Sequence, residues 1–359
     1  MKTRVTIRDI AQTAGVSVGT VSRVLSGATN VAPDLYHKTL RVIEETRYRP
    51  ARAIQLRREK QQCLSVFFNV SEKWLHSYWV TEYLRGVSEA CAPHDYTTTI
   101  YMHNRLPDNN FFNKVKACSD GLILMSGLMD FRISEQTSRL KSSLEQVSQT
   151  IPVIGLGGVC PALPISQIAF DDIGAGTLAT ERLIEFGHRR IAFINTNPEH
   201  AGFAERGLGY MVVMRRHGLW DEALMLEHAV TIPRPDLPEE SPPDLDRALD
   251  LALKRKASAV VVSNDWGCAG LYQACARRKI RIPEDLSVIG FDNEFSICSL
   301  LNPTLSSVEN PFYKLGKVGA ERLFQEITAR DNRQETTPIT QYIQDRKSTR
   351  LNSSHGYIS

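Results

Sequence analysis

TIRDIAQTAGVSVGTVSRVLSG, residues 6–27, is the stretch that decides the fold of the N-terminal part of this chain. Thr6 can cap a helix, and Asp9 places a carboxylate in its first turn, at the positive end of the helix dipole. Gly15 can adopt the left-handed conformation of a tight turn, and Ser17 can cap a second helix. Apolar residues recur at helical spacing: Ile7, Ile10, Ala11 and Ala14 in the first helix, and Val21, Val24 and Leu25 in the second.

The spacing of three residues predicts how these two helices cross. Ala11, Gly15 and Val21 stand at relative positions 1, 5 and 11. Helices that cross closely need a small residue at the first position, a turn at the second and an apolar side chain at the third. The stretch therefore predicts a helix-turn-helix, and a small helical hairpin with an ordinary surface is the alternative.

Five positions of the second helix are not needed for its core: Val18, Gly19, Thr20, Ser22 and Arg23. They are free to face a DNA major groove, where Arg23 can pair with guanine and Val18 can pack on a thymine methyl group. A glycine inside a helix costs about 1 kcal/mol relative to alanine. Close approach of the Gly19 backbone to a base edge would explain that cost.

The net charge of +3 is unevenly distributed along the 359 residues. Residues 1–60 hold 12 Lys and Arg against 5 Asp and Glu, and the remainder holds 31 against 35. The basic segment predicts a polyanionic partner. Charge alone does not distinguish nucleic acid from an anionic membrane surface.

Cysteine usage and hydropathy predict a cytoplasmic protein without a membrane partner. The seven cysteines are irregularly spaced and include no C-x-x-C, so we expect neither a disulfide framework nor a zinc site. The N-terminus MKTRVTIRDI lacks the apolar core of a signal peptide. No apolar run approaches the roughly 18 residues that span a bilayer.

Residues 61–344 alternate between strand-like and helix-like segments. Short apolar runs of strand length lie at 65–70, 97–101, 121–125, 152–156, 190–194, 259–263 and 286–291, with helical patterns between them. This alternation predicts parallel sheets covered by helices on both faces. The length predicts two lobes, and ligands of such folds bind beyond the carboxyl ends of the strands. The cleft between the lobes is therefore the expected binding site.

Signals for an enzyme, a cofactor or a metal are weak. The Gly-x-Gly strings at 155–157 and 174–176 lack the third glycine of a dinucleotide fingerprint, and no P-loop is present. The nine histidines show no metal-binding spacing. We expect Asp171 and Asp172 to cap the following helix rather than to act as paired catalytic carboxylates. The sequence thus predicts no enzyme, no cofactor and no metal.

Residues 6–27 resemble the DNA-binding signature of the lactose/galactose repressor family, and the match continues through Val31, Ile43, Tyr48 and Pro50. The second part resembles the same family in four strings. These are FDDIGAGTLATERLIEFGHRRIAFI, AERGLGYMVVMRRHGL, AVVVSNDWGCAG and RIPEDLSVIGFDNEFSICSLLNPTLSSV. The resemblance implies an N-terminal all-α helix-turn-helix headpiece and an α/β two-lobed effector domain with the fold of periplasmic binding proteins.

The domain boundaries follow from these matches. We expect the headpiece at 1–49, a hinge at 50–60 and the effector domain at 61–344. Lobe 1 is expected at about 61–161 and 293–311, and lobe 2 at about 162–292 and 312–344. Residues 345–359, DRKSTRLNSSHGYIS, resemble a translated sequencing adapter over Asp345 to His355, although a native tail is the alternative. We therefore expect a non-native tail there.

The resemblance also implies which headpiece residues contact operator DNA. Val18, Gly19 and Arg23 would make the sequence-specific contacts with bases. The residues that would contact phosphates or act as helix caps are Thr6, Ser17, Thr20, Ser22 and Asn30. Leu56 is the expected minor-groove wedge, although the family's leucine falls one residue later, where this chain has Arg57. A linker whose arginines touch only phosphates is the alternative. Thr39 and Thr46 replace residues that are usually apolar, which predicts a thin headpiece core.

Five effector-domain residues would line the family's cleft: Trp79, Arg206, Asn264, Asp265 and Asp292. Each has a structural alternative: Asp265 and Asp292 can be helix caps, Arg206 a surface ion-pair partner, and Trp79 a core residue. Gly157 and Gly158 stand where several sugar-responsive members carry an acidic residue. The effector is therefore expected to bind differently from a simple galactoside.

The resemblance implies a repressor of carbohydrate-utilisation genes whose affinity for double-stranded operator DNA changes with a sugar-like effector. Two subunits would pair on a near-palindromic operator, within a homodimer or a tetramer. A regulator corepressed by a purine or another metabolite is one alternative, and a non-enzymatic solute-binding protein is another. A sugar-modifying enzyme and an architectural DNA binder are further rivals.

Overall fold

The structure is a computed structural model that describes residues 6–25, 31–46, 48, 60–103, 107–125, 135–231, 242–343 and 349–350. The chain forms two compact units, Met1–Gln61 and Gln62–Ser359. Asn30, Leu56 and the expected hinge up to residue 59 lie outside the described residues.

The first unit contains three helices: α1 (Ile7–Ala14), α2 (Val18–Leu25) and α3 (Pro33–Thr46). The hydroxyl of Thr6 accepts a hydrogen bond from the Asp9 N–H at 3.4 Å, and the Asp9 carboxylate accepts one from the Thr6 N–H at 2.7 Å. This reciprocal pair is a capping box. Gly15 ends α1 with a φ of 65°. The expected cap, left-handed turn and second helix are confirmed.

The core of the first unit is small and lies between the three helices. Its buried apolar residues are Ile10, Ala11, Ala14, Val21, Leu25 and Val42. Thr39 is also buried, and its hydroxyl donates to the Leu35 carbonyl at 2.7 Å. The Thr46 hydroxyl donates to the Val42 carbonyl at 2.6 Å. Both hydroxyls are therefore satisfied within α3, so neither threonine leaves an unpaired polar group in the core.

The second unit contains twelve described strands. They are β1 (Cys63–Phe68), β2 (Thr97–Met102), β3 (Gly121–Met125), β4 (Val153–Gly157), β5 (Ser166–Phe170), β6 (Ile191–Ile194), β7 (Met225–Leu226), β8 (Ala259–Val262), β9 (Ser287–Asp292), β10 (Ser306–Glu309), β11 (Thr340–Ile343) and β12 (Thr349–Arg350). They form two six-stranded sheets, in the orders β11-β5-β4-β3-β1-β2 and β12-β10-β9-β8-β6-β7. All neighbouring strands are parallel except β10 and β12.

Helices cover both faces of each sheet. They are α4 (Tyr78–Cys91), α5 (Asn109–Cys118), α6 (Glu135–Val147), α7 (Asp172–Glu185), α8 (Ala201–Arg216), α9 (Asp246–Lys254), α10 (Asp265–Arg277), α11 (Phe295–Cys298) and α12 (Phe312–Asp331). Successive strand residues enter different cores: Phe67 and Phe68 of β1 lie in separate buried clusters, as do Val288 and Ile289 of β9. The expected parallel sheets with two covered faces are confirmed.

The predicted division into lobes is wrong in three places. β5 pairs with β4 and β11 pairs with β5, so both strands belong to the first sheet. β10 pairs with β9 in the second sheet. Helix α12 packs in the same cluster as α4, so it also belongs to the first lobe. The lobe that a segment joins depends on which strand edge it pairs with, and the chain crosses between the sheets at 170–172 and 309–312.

None of the described helices combines the length and apolar character needed to cross a membrane. Within the same described ranges, no three His, Cys, Asp or Glu side chains are grouped so that they could hold a metal ion.

Candidate functional site

Helix α2 presents an outer surface that its own fold does not require. Val18, Gly19 and Arg23 are exposed, and Thr20 and Ser22 are half-buried. The Val18 side chain is 42 % exposed. A Cβ placed on Gly19 would meet no heavy atom closer than the Ser17 hydroxyl, at 3.6 Å. Packing within the protein therefore does not explain the glycine, which leaves room for an external partner.

The hydroxyl groups at the two helix starts act as caps. Ser17 Oγ accepts a hydrogen bond from the Thr20 N–H at 3.0 Å and bonds to the Thr20 hydroxyl at 2.9 Å. At the start of α1, the hydrogen bonds from Thr6 lower the pKa of Asp9. The capping role of Thr6 and Ser17 is therefore visible. Their contact with phosphates, together with that of Thr20 and Ser22, stays a prediction.

A second group of polar residues lies at the carboxyl ends of the second sheet, centred on Arg206. This side chain is 3 % exposed. Its Nε donates to Asp172 Oδ1 at 2.7 Å, one Nη donates to the Ser263 carbonyl, and the other lies 3.4 Å from Asp292 Oδ1. Arg206 is thus a buried side chain that forms ion pairs with two carboxylates. Its interpretation as a surface ion-pair partner is wrong.

Asp292 is the carboxylate of this group that reaches solvent, with 20 % of its side chain exposed. It accepts a hydrogen bond from Asn310 Nδ2 at 2.7 Å. Burial raises the pKa of Asp292 to about 7, against the opposing effect of Arg206. Its backbone has a φ of 104°, and that of Asn293 has a φ of 50°. An exposed carboxylate on a left-handed turn at a strand end is placed to meet a ligand.

Asn264 and Asp265 are neighbours with different roles. Asn264 caps α10, because its Oδ1 accepts a hydrogen bond from the Gly267 N–H at 3.0 Å. Asp265 is 0 % exposed, and its two oxygens accept hydrogen bonds from the Ser307 hydroxyl and the Glu294 N–H. Burial raises the pKa of Asp265, and the nearby Asp292 raises it further. The structure brings Asp265 into the polar group but not to its surface.

Trp79 lies in helix α4 of the first lobe, where it packs against the buried cluster of that lobe. It is half-buried, and its ring centroid lies 5.9 Å from that of Phe68 and 6.2 Å from that of Trp74. Its neighbour Tyr78 faces the second lobe. Burial raises the pKa of Tyr78 to about 12, and carboxylates of both lobes, Glu82, Glu309, Asp292 and Glu294, act in the same direction. Tyr78 of α4 therefore lies near the polar strand ends of the second lobe.

The sequence interpretation missed several members of the group. Asp171 does cap α7, with its Oδ1 accepting from the Gly174 N–H at 2.9 Å, but Asp172 pairs with Arg206 instead. The expectation that both aspartates are caps is therefore wrong for Asp172, because the first aspartate already fills the cap position. A strand end followed by two aspartates was the available signal.

His200 and Asn310 were also missed. His200 caps α8, since its Nδ1 accepts from the Phe203 N–H at 3.4 Å, and burial lowers its pKa to about 4. The imidazole is therefore neutral at pH 7. No short motif marks Asn310, because its partner Asp292 is 18 residues away and reaches it through sheet pairing.

Comparison with known proteins finds one family model that matches the first unit and another that matches part of the second. The model of the lacI family of bacterial regulatory proteins matches residues 6–51, and that of the periplasmic binding protein-like domain matches residues 180–349. The chain carries a lacI-family DNA-binding domain together with a periplasmic binding protein-like domain. It is a DNA-binding transcriptional regulator, and the resemblance read from residues 6–27 is confirmed.

Relatives of this chain align over most of their length. The ribose operon repressor of Haemophilus influenzae is 28 % identical over 336 residues, covering 90 % of this chain and 92 % of the relative. Catabolite control protein A of Priestia megaterium is 28 % identical over 352 residues, covering 96 % and 99 %. Among solved structures, a transcriptional regulator CelR–cellobiose complex matches with a TM-score of 0.63 and 25 % identity, over 95 % of this chain and 97 % of that one.

Proposed function

We propose that this regulator represses genes of carbohydrate use in the cytoplasm and that a sugar-sized effector in the cleft changes its affinity for operator DNA. The observation that carries the proposal is the polar group centred on Arg206 at the carboxyl ends of neighbouring parallel strands, near Tyr78 of α4. Ligands of such sheets bind at these strand ends. The similarity to a ribose operon repressor and to a cellobiose complex supports a carbohydrate.

A sugar needs hydrogen-bonding groups for its hydroxyls and an apolar surface for its ring, and the cleft has side chains of both kinds. Hydroxyl groups donate and accept hydrogen bonds, and Asp292 and Asn264 provide partners for them at partly exposed positions. Arg206 supplies a further donor next to Asp292. The half-buried rings of Trp79 and Trp74 provide a surface for the apolar face of a sugar ring.

The proposed operator contacts divide into base readout and positioning. Val18, Gly19 and Arg23 face the bases of the major groove. The proposed phosphate contacts are Thr6, Ser17, Thr20, Ser22 and Asn30, with Leu56 as a minor-groove wedge. Two copies, in a homodimer or as one half of a tetramer, place two α2 helices on one near-palindromic site.

Cleft binding and operator binding are coupled reciprocally, typically by 1–3 kcal/mol. The test begins with a thermal-shift screen of neutral mono- and disaccharides, including ribose and cellobiose, and of purine bases. An operator selected from random duplexes is then titrated by fluorescence anisotropy at fixed salt, with and without each stabilising compound.

We expect a sugar to raise the thermal midpoint, to remain chemically unchanged and to weaken operator binding by about 5- to 150-fold. A purine that tightens operator binding would replace this proposal with corepression. Turnover of the sugar would indicate an enzyme. Operator affinity that no compound changes would indicate an architectural DNA binder.

A further inference from the structure

The turn that follows β9 carries unusual backbone strain. Asp292 has a φ of 104° and Asn293 has a φ of 50°, so two successive residues with side chains lie in the left-handed region. Such conformations are uncommon outside glycine and persist only where the surrounding structure holds them. The turn presents the Asp292 carboxylate to the cleft, so whatever holds the turn also places that carboxylate.

One buried carboxylate holds the backbone of this turn at two points. Asp265 Oδ2 accepts a hydrogen bond from the Glu294 N–H at 2.9 Å. Its Oδ1 accepts one from the Ser307 hydroxyl at 2.7 Å, and Ser307 Oγ in turn accepts one from the Asn293 N–H at 2.9 Å. Two consecutive N–H groups of the turn are therefore held, one by Asp265 directly and one through Ser307.

The surroundings of Asp265 fit this role and no simpler one. Asn264 already caps α10, so the helix does not need the Asp265 carboxylate for its start. A side chain at position 290 of β9 would clash with this carboxylate, because its Cβ would lie 2.3 Å from Asp265 Oδ1. Gly290 therefore leaves the space that the Asp265 carboxylate occupies beside the strand. A buried carboxylate is costly unless hydrogen bonds satisfy it. Here Oδ1 accepts from Ser307, and Oδ2 accepts from the Glu294 N–H and from the Cys298 thiol.

We propose that Asp265 and Ser307 are positioning residues that fix the turn 292–294 and so aim the Asp292 carboxylate at Arg206 and the cleft. Asp265 then acts on the effector only through Asp292, which replaces its predicted role as a direct ligand. The inference rests on the proposed function only in taking the cleft as the effector site. The charged and titratable groups around Asp292 are Arg206 of α8, Asp172 of α7, Asp265 of α10, Tyr78 of α4, and Glu294 of its own turn.

The test compares Ser307→Ala with Ser287→Ala in the full chain. Ser287 is a buried serine of β9 whose hydroxyl has no hydrogen-bond partner among the described residues, so it matches Ser307 in size, burial and sheet. Hydrogen–deuterium exchange of the peptide containing residues 292–296 reports on the turn. A carboxyl titration by 13C NMR reports on Asp292, and Asp265→Asn identifies the second buried carboxyl signal.

We expect Ser307→Ala to speed exchange in that peptide about fivefold to tenfold, because the Asn293 N–H loses its acceptor. We also expect the pKa of Asp292 to fall from about 7, since burial of the carboxylate is the main cause that raises it. Ser287→Ala should change neither quantity.

Unchanged exchange in Ser307→Ala would overturn the proposal. Faster exchange with an unchanged pKa of Asp292 would also overturn it, because Ser307 would then support the turn without placing the carboxylate. Both readings are made without effector, so they stand even if the sugar screen finds no ligand. Failure of that screen would count against the proposed function alone.

Discussion

The two candidate surfaces of this chain differ in how far they depend on the fold around them. On α2, Val18 and Arg23 are exposed, and Gly19 has open space around its Cα. In the cleft, Arg206 and Asp172 are buried and hold each other at 2.7 Å. The DNA-facing surface can therefore change without unfolding the first unit. The cleft cannot lose a member without affecting both its binding and its stability.

The largest effect should come from Arg206→Met. This change leaves the carboxylates of Asp172 and Asp292 in the cleft without their cation. Breaking one side of a buried ion pair costs about 3–5 kcal/mol, so the free energy of unfolding of the second unit should fall by that amount. Urea denaturation measures it. The matched control is Arg216→Met, an exposed arginine of the same helix paired with Glu181, which should cost at most about 1 kcal/mol. Equal losses in the two variants would show that the buried ion pairs of Arg206 stabilise the second unit no more than an exposed ion pair does.

The second effect concerns pH and Asp292. Its pKa is about 7 in the folded chain and has the ordinary value of 3.8 when unfolded. A raised carboxyl pKa contributes stability that is fully present below about pH 4 and is lost as pH rises through about 7. The free energy of unfolding should therefore fall by roughly 2–4 kcal/mol over that range, and Asp292→Asn should remove this part of the slope. Urea titrations at a series of pH values test it. Parallel curves for both proteins would show that Asp292 does not titrate in this window.

Arg23→Ala should leave folding intact and reduce operator discrimination. Loss of a bidentate contact to guanine costs about 1–3 kcal/mol for the specific site only. Anisotropy titrations of the selected operator and of a random duplex give the specificity ratio. The control is Arg8→Ala, which removes the same charge from the exposed surface of α1 and should weaken both complexes alike. An unchanged ratio in Arg23→Ala would remove α2 from base readout.

Among the substitutions expected to change folding, Gly19→Ala should have the smallest effect, and that effect should have the opposite sign. Because no atom blocks a Cβ there, alanine should raise the free energy of unfolding of the first unit by up to about 1 kcal/mol. The same methyl group should weaken operator binding if the backbone approaches a base edge. Thermal unfolding and anisotropy on one sample test both halves. A stabilised variant with unchanged affinity would leave the glycine without a DNA role.

The first unit could be predicted from sequence because its signals are local. Thr6 and Asp9 are three residues apart, and Gly15 follows α1 directly, so spacing alone fixes the cap and the turn. The apolar spacing likewise placed Ala11 and Val21 in the core.

In the second unit, apolar runs predicted seven of the twelve described strands, but neither the remaining five nor the partners of any strand. β5, β10 and β11 are among the strands that were not predicted, and only pairing across the chain assigns them to a sheet. The sequence predicts that Asp172 is a helix cap. The fold brings Arg206, 34 residues later, beside it, and the two side chains form an ion pair. Asp265 reads as a ligand because it follows a strand, and burial reverses that interpretation.

The crossings between the sheets at 170–172 and 309–312 also contain part of the polar group. Asp172 follows the first of them and holds Arg206, while Asn310 lies in the second and holds Asp292. The segments about which one lobe would turn against the other thus position the side chains that are proposed to bind a small molecule. A molecule bound to Arg206 and Asp292 would therefore act directly on the backbone of these segments, and the far ends of the lobes would move furthest.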